Sequence, residues 1–362
     1  MTTRRELLGW TAAGMGVLAT RLARAEDIVP ANKPLDILFL GGTGFIGPYQ
    51  VEHALARGHR VTLFNRGHST VAFDGKTELL VGNRDSKLDP GLSALKGDRK
   101  WDVVIDNSGY LPRHVRDSVK LLKDRCRRYV YISSVAVYDP AATSVTEATP
   151  LRPLPDPKNE QMSWERYGPL KAECDRIVQA ALGKQATIVR PTYIVGPRDD
   201  TDRFTYWVDR VTRGGDVLAP PTRQNELQWI DARDLCPWVI TLAEQDKTGI
   251  FNVAGPGYTW EETLVGLSML STEMVKFRWS TVELLKQLDI ELPLVTPGRP
   301  SRHFDNKASL EADLTYRPLP DTAAAILKWW REQPDERRAH PDGWPTQEKE
   351  RAAIQQLLAA SS

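Results

Sequence analysis

Apolar positions along the chain alternate between strand and helix spacing. Residues 35–40 form a short apolar run of strand length, which passes directly into Gly41-Gly42-Thr43-Gly44-Phe45-Ile46-Gly47. The next segment has helical spacing, with Val51, Ala54 and Leu55 on one face and Gly58 as its stop. Further strands are predicted at 59–65 around Val61-Thr62-Leu63-Phe64, at 77–80, at 101–107 around Val103-Val104-Ile105, at 129–134 and at 186–190. Helices are predicted between them, one with Val115, Val119 and Leu122 inward and one over 164–182. Residues 139–159 are Pro-rich and irregular, the composition of a loop that borders a site.

Strand alternating with helix predicts an α/β fold, a right-handed, doubly wound parallel sheet of the Rossmann type. The dinucleotide-binding part is expected over 35–196, with returning segments at about 228–254 and 302–315. Beyond Pro197 the pattern loosens. A strand at 227–231, a helix at 232–243 and a strand at 249–254 are still legible, followed by helices at 261–271, 281–288 and 321–330. A last helix is expected over 346–359, capped by Thr346. Residues 197–227, 255–301 and 316–362 are assigned to a smaller, mostly C-terminal substrate-binding domain with C-terminal helices.

Composition narrows the function classes. The 362 residues carry a formal net charge of +1 with no long run of one sign, so no nucleic-acid partner is expected. Cys126, Cys174 and Cys236 lack metal-pair spacing and are read as buried small apolar residues. No two of the six histidines stand at helical ligand spacing, and no metal is expected. The first 25 residues read as a signal peptide: Thr3-Arg4-Arg5-Glu6-Leu7-Leu8 is a twin-arginine pattern, a Gly/Ala-rich apolar stretch follows, and Ala23-Arg24-Ala25 is a small-x-small cleavage site. The expected partner is therefore the twin-arginine export machinery and the expected location the periplasm.

The glycine stretch sits in the context that binds a dinucleotide, between a strand and a helix. Gly41 permits the tight turn, Gly44 lets backbone approach a pyrophosphate, and Gly47 lets helix pack on strand; Thr43, Phe45 and Ile46 complete the expected cradle. At the end of the second strand an acid would bind a ribose 2′-hydroxyl. Asn65 and Arg66 stand there instead, with His68 and Ser69 behind, which favours NADP over NAD. Asp85 is a candidate acceptor for the adenine amino group. Ser108 and Gly109 are small residues at a strand end where backbone passes the ligand, and Tyr110 beside them is a substrate candidate.

Tyr167 and Lys171 are i and i+4 and share a helix face. A neighbouring ammonium and a positive nicotinamide would favour the phenolate and lower its pKa from about 10 toward neutrality. Tyr167 can then exchange a proton with a hydroxyl or carbonyl while the nicotinamide exchanges a hydride. Lys171 also holds the nicotinamide ribose, and Ser134, at the end of the fifth strand, holds the substrate oxygen.

The order of these segments resembles the extended short-chain dehydrogenase/reductases, the NAD-dependent epimerase/dehydratase family. The resemblance covers residues 35–330 and rests on the glycine stretch, Ile132-Ser133-Ser134-Val135-Ala136-Val137-Tyr138, Tyr167-Gly168-Pro169-Leu170-Lys171, Arg190-Pro191 and Val195-Gly196-Pro197. It continues through Gln228–Leu235, Phe251–Pro256 and Asp305-Asn306-Lys307-Ala308. It implies a Ser134, Tyr167, Lys171 catalytic set, with Pro191 and Ile194 beside the nicotinamide. Within the family the chain is similar to a bacterial branch that shares Phe64-Asn65-Arg66-Gly67 and Asp202-Arg203-Phe204-Thr205-Tyr206-Trp207. The latter string replaces the usual nucleotide-sugar segment, so Arg203, Tyr206 and Trp229 are assigned to a sugar-sized pocket. The expected function is an NAD(P)-dependent oxidoreductase or epimerase of a sugar-like substrate, with a tightly held, recycled cofactor. The alternatives are a plain NADP-dependent carbonyl reductase and a non-catalytic dinucleotide- or RNA-binding relative. A homodimer is the assembly considered.

Overall fold

The computed structural model describes residues 28–360. The twin-arginine pattern at 1–25 lies outside the described residues.

Seven parallel strands form the central sheet: β1 (Asp36–Leu40), β2 (Arg60–Asn65), β3 (Thr77–Val81), β4 (Trp101–Asp106), β5 (Cys126–Ile132), β6 (Ala186–Pro191) and β7 (Gly249–Val253). Their spatial order is β7-β6-β5-β4-β1-β2-β3. β1 is central and buried on both faces, which is why it reads as a continuous apolar run. Successive side chains point to opposite faces. Ile37 and Phe39 join a core with Val51 and Ala54 of α1 (Ile46–Ala56) and Trp238 of α5 (Ala232–Glu244). Leu38 and Leu40 join another with Val115 of α2 (Pro112–Leu122) and Val178 of α3 (Trp164–Leu182). The chain steps outward from β1 to β3, then returns to β4 on the other side of β1. That reversal opens a crevice at the carboxyl ends of β1 and β4, where such sheets bind ligands.

A second core lies beyond Pro197. It packs α4 (Arg203–Thr212), α6 (Trp260–Ser268), α7 (Leu319–Arg331) and α8 (Gln347–Ala359) around Trp207, Leu264, Ile326 and Ile354. Thr346 caps α8, its side chain accepting from Lys349 N. A parallel pair, Gly215–Ala219 with Val275–Trp279, completes this core and was not anticipated. Each of the two strands is short, and Gly and Asp open the first, so neither carries a clear period.

Two boundaries move. β5 starts three residues before 129, because Cys126 and Arg128 pair with Trp101 and Val103 and extend the ladder through charged residues. The 139–159 loop contains a two-residue strand, Ser144–Val145, paired with His303–Phe304. All three cysteines are free and buried.

Candidate functional site

The crevice opens into a cleft of about 1610 Å³ that runs from the glycine turn to the second core. At the turn, Gly41 and Gly42 hold φ of +104° and +109°, a region glycine enters without strain. An ideal Cβ on Gly47 would lie 2.3 Å from the carbonyl carbon of Gly42, so α1 rests on the loop backbone. A Cβ on Gly44 would meet nothing within 4 Å, and Gly44 lines the cleft beside Thr43 and Phe45. α1 has no side-chain cap and no acid in its first turn. Gly47 N donates to the Gly44 carbonyl at 2.8 Å and Pro48 has no N–H, so the Ile46 amide and the positive dipole end are what suit an anion. An open glycine position facing such a terminus fits a dinucleotide pyrophosphate.

Asn65, Arg66, His68 and Ser69 line the adjacent wall. Asn65 also folds back, its Oδ1 accepting from Gly67 N at 2.7 Å. Ser108 lies against Gly41 and donates to the Leu40 carbonyl at 3.0 Å. Asp85 is not on the cleft wall. Its carboxylate accepts from Arg113 at 2.7 Å and from Lys87 N, and the Arg113 bond holds it at about 2. That committed carboxylate corrects the adenine-binding assignment. Asn83 and Arg84 line the cleft in its stead.

Arg84 clamps Asp106 through bonds of 2.6 and 2.8 Å and also donates to Ser108 and Ser118. Burial opposes ionisation of Asp106, but Arg84 outweighs it and holds the carboxyl below its usual range. This pair fixes the floor of the cleft and escaped the sequence reading. The signal was an acid at the end of an apolar strand, which must find a partner when buried.

Ser134 stands two residues past β5, and its Oγ accepts from Ala136 N at 3.2 Å. α3 begins at the Ser163 cap and presses on this turn at Gly168, where a Cβ would lie 2.4 Å from the Ala136 carbonyl oxygen. That close approach sets Tyr167 on the same cleft wall as Ser134. One turn further, Lys171 lies behind the cleft wall. It donates to the Ile132 and Gly109 carbonyls at 2.8 and 3.0 Å, with the Tyr131 ring centroid 4.2 Å from its Nζ. Gly109 thus lies behind Lys171 and is not on the wall; its carbonyl also accepts from Tyr131. Ile46 and Gly47 are likewise packing residues of α1.

The Tyr167 phenol is pushed up to about 12 by burial, with the Ser134 hydroxyl opposing and the Arg203 charge a smaller opposing effect. The chain's own groups therefore leave the phenol above its ordinary value, and the expected shift toward neutrality belongs to the state with a positive nicotinamide beside it. Lys171 spends two N–H bonds on carbonyls, and burial lowers its own pKa.

Pro191 and Ile194 line the cleft at the head of its other half, with Tyr110 half-exposed at the rim. The Arg190–Asp175 ion pair, 2.8 Å and fully buried, ties β6 to α3 and sets Pro191 relative to Tyr167. Arg203 lines the wall, its guanidinium 5.3 Å from the Tyr193 ring centroid. Tyr206 and Trp229 do not reach the cleft. Tyr206 packs edge-on against Trp207 and Trp344 at 4.8 and 5.3 Å, and Trp229 lies between Phe204 and Tyr258 at 5.0 and 5.3 Å. α4 is enclosed by the second core, with Phe204 through Val208 all buried, so only its first residue reaches the site. Residues not anticipated here are Arg152, Asp199, Thr201, Arg299 and Arg302. They fall in irregular segments where no period marks a facing side.

Residues 105–254 match the model of the NAD dependent epimerase/dehydratase family. The chloroplast stem-loop binding protein of 41 kDa b of Arabidopsis thaliana is 28% identical over 250 residues, 64% of this chain, and the match spans 61% of that protein's length. The Bordetella bronchiseptica enzyme WbmH in complex with NAD+ superposes with a TM-score of 0.60 at 17% identity, covering 82% of this chain and 99% of that one. UDP-glucuronic acid 4-epimerase from Bacillus cereus, in complex with NAD, gives 0.60 at 15% identity over 81% and 99%. The superpositions show a Rossmann-type fold shared with these two proteins over four fifths of the chain.

Proposed function

We propose that the chain is a nicotinamide-dependent oxidoreductase or epimerase acting on a hydroxyl or carbonyl of a sugar-like substrate. One observation carries the reading. Ser134 and Tyr167 line the same wall, with Lys171 one helical turn from Tyr167, in a cleft that begins at an uncapped glycine-rich helix terminus. The amides of the glycine turn and of Ile46 would hold a pyrophosphate, Asn65 and Arg66 an adenosine ribose, and Pro191 and Ile194 a nicotinamide. When bound, the nicotinamide supplies hydride transfer.

The chain's own groups supply the rest. Ser134 Oγ holds the substrate oxygen, and Tyr167 Oη gives or takes its proton. The remaining N–H of Lys171 would hold the ribose, and its charge would favour the phenolate once the proton has left. Arg66 in place of an acid favours NADP, because a guanidinium accepts the 2′-phosphate that a carboxylate would repel.

The N-terminal twin-arginine pattern extends this reading to the periplasm, where no NAD(P) pool is maintained. A cofactor carried out in the folded enzyme must then be retained and restored within each cycle. With association near 10⁶ per molar per second, retention for an hour needs a dissociation constant near or below ~0.1 nM. The test is to dialyse mature protein extensively, denature it and quantify released nucleotide. About one NAD(P) per chain supports a recycling enzyme; none, with an absolute need for added NADPH, favours a plain reductase.

The plant relative's name favours a second reading, an RNA-binding protein on this fold. Stem-loop RNA retained by the purified protein at physiological salt, with no NAD(P) binding, would select it.

A further inference from the structure

From the turn after the Tyr193–Val195 strand to the first residue of α4, three polar residues line the cleft: Asp199, Thr201 and Arg203. Thr201 Oγ1 accepts from Arg203 Nε at 3.0 Å and donates to Asp199 Oδ1 at 2.7 Å, and Thr201 N donates to the same oxygen at 3.0 Å. Asp199 is only 2% exposed, and among the described residues no cation stands within salt-bridge distance of it. Both of its hydrogen bonds fall on Oδ1, which leaves Oδ2 to the cleft. Arg203 spends Nε on Thr201 and lays its guanidinium beside Tyr193, which leaves its two terminal NH₂ groups uncommitted.

An acid and a base two side chains apart ordinarily close on each other. Here the threonine hydroxyl stands between them, so each keeps an unsatisfied edge on the same stretch of wall. Burying a carboxylate without a cation is unfavourable unless a donor meets it. The turn lines the same cleft as Ser134 and Tyr167.

We propose that Asp199, Thr201 and Arg203 form a specificity element that holds a vicinal diol of the substrate, Oδ2 of Asp199 accepting from one hydroxyl and Arg203 donating to its neighbour. A hydroxyl both donates and accepts, so adjacent hydroxyls satisfy both edges at once. A carboxylate or phosphate would satisfy Arg203 but meet the Asp199 oxygen, and an ammonium would do the reverse. Thr201 is a positioning residue: it keeps the two charged groups apart and fixes their spacing. The proposal rests on the sugar-like substrate reading above and adds which atoms read it.

The experiment is a saturation-transfer NMR titration of the full chain, with and without NADP⁺, against a panel of free pentoses, hexoses and hexuronates, with cyclohexanol as the one-hydroxyl control. Nucleotide affinity is measured in parallel. At least one sugar should bind the wild type, and cyclohexanol should bind at least tenfold more weakly. Asp199→Asn and Thr201→Val should each weaken the sugar by about tenfold or more, the loss expected when a buried partner is left unpaired. Thr201→Ser, which keeps the hydroxyl, should restore binding, and all three variants should bind NADP⁺ as the wild type does. Unchanged sugar affinity in Asp199→Asn and Thr201→Val, cyclohexanol binding as tightly as the sugars, or no sugar bound at all would overturn the proposal. Loss of NADP⁺ binding by the wild type would instead overturn the cofactor reading, and the nucleotide-free titration still judges the triad.

Discussion

The ammonium of Lys171 donates to the carbonyl oxygen of Ile132 across 2.8 Å, pinning α3 to the carboxyl end of β5. A second bond, to Gly109, reaches the turn after β4. The lysine therefore couples two strand ends to the helix that carries Tyr167, and has one proton left for a ligand. Lys171→Met keeps the length of the side chain and removes the charge. Nucleotide affinity should fall about tenfold or more, the worth of one charge-assisted bond. The melting temperature should also fall by several degrees, since the Ile132 carbonyl is left buried and unpaired. Calorimetric titration and thermal melts check the two effects separately.

Gly44 and Gly47 separate ligand space from packing space. A Cβ on Gly47 collides with Gly42 backbone, whereas one on Gly44 meets open cleft. Gly47→Ala should lower the melting temperature and weaken nucleotide binding together. Gly44→Ala should melt within a degree or two of the wild type and still lose nucleotide affinity, because its methyl group occupies the space proposed for the pyrophosphate. Unchanged affinity in Gly44→Ala would remove the phosphate from this turn.

Arg66 lies on the cleft wall with Asn65, His68 and Ser69. Arg66→Ala should weaken NADP⁺ by about tenfold or more and NAD⁺ much less, since a charge-assisted contact to phosphate contributes roughly 1.5–3 kcal/mol. Equal losses for both nucleotides by calorimetry would mean that Arg66 stacks on the adenine without reading the phosphate.

The site was legible where chemistry sits on a regular element. Tyr167 and Lys171 share a face because α3 runs unbroken through them, and the glycine turn was readable because β1 is apolar on both faces. Tyr206 and Trp229 were misassigned because an aromatic string reads alike on a pocket wall and in a core. Only the enclosure of α4 by the second core decides between them, and that enclosure depends on segments distant in sequence, such as the one carrying Trp344. Asp85 failed for a related reason: Arg113, which holds it, comes from the following helix. The Arg84–Asp106 pair was hidden because its partners lie on separate strands' ends and meet only when β3 and β4 fold into one sheet.

That pair gives a pH dependence. Arg84 holds the Asp106 carboxyl below its unfolded value of 3.8, against the opposing effect of burial. A depressed folded pKa adds stability above the unfolded pKa, and that stability is lost as pH falls through the folded value. The urea midpoint of the wild type should therefore drop steeply below pH ~4. Asp106→Asn should be less stable at neutral pH and show a shallower acid limb. Parallel acid limbs in the two proteins would show that other carboxyls set the dependence.

The central claim is that Tyr167 moves a proton while a nicotinamide moves a hydride. It is tested most directly by the rate at which reduced nicotinamide absorbance appears or disappears when cofactor-loaded protein meets its sugar substrate, in wild type and in Tyr167→Phe. The substitution keeps the ring and its packing and removes only the phenolic proton. The rate should fall by at least ~100-fold, the low end for loss of a general acid–base, with cofactor still bound. Near-equal rates in the two proteins would contradict the assignment.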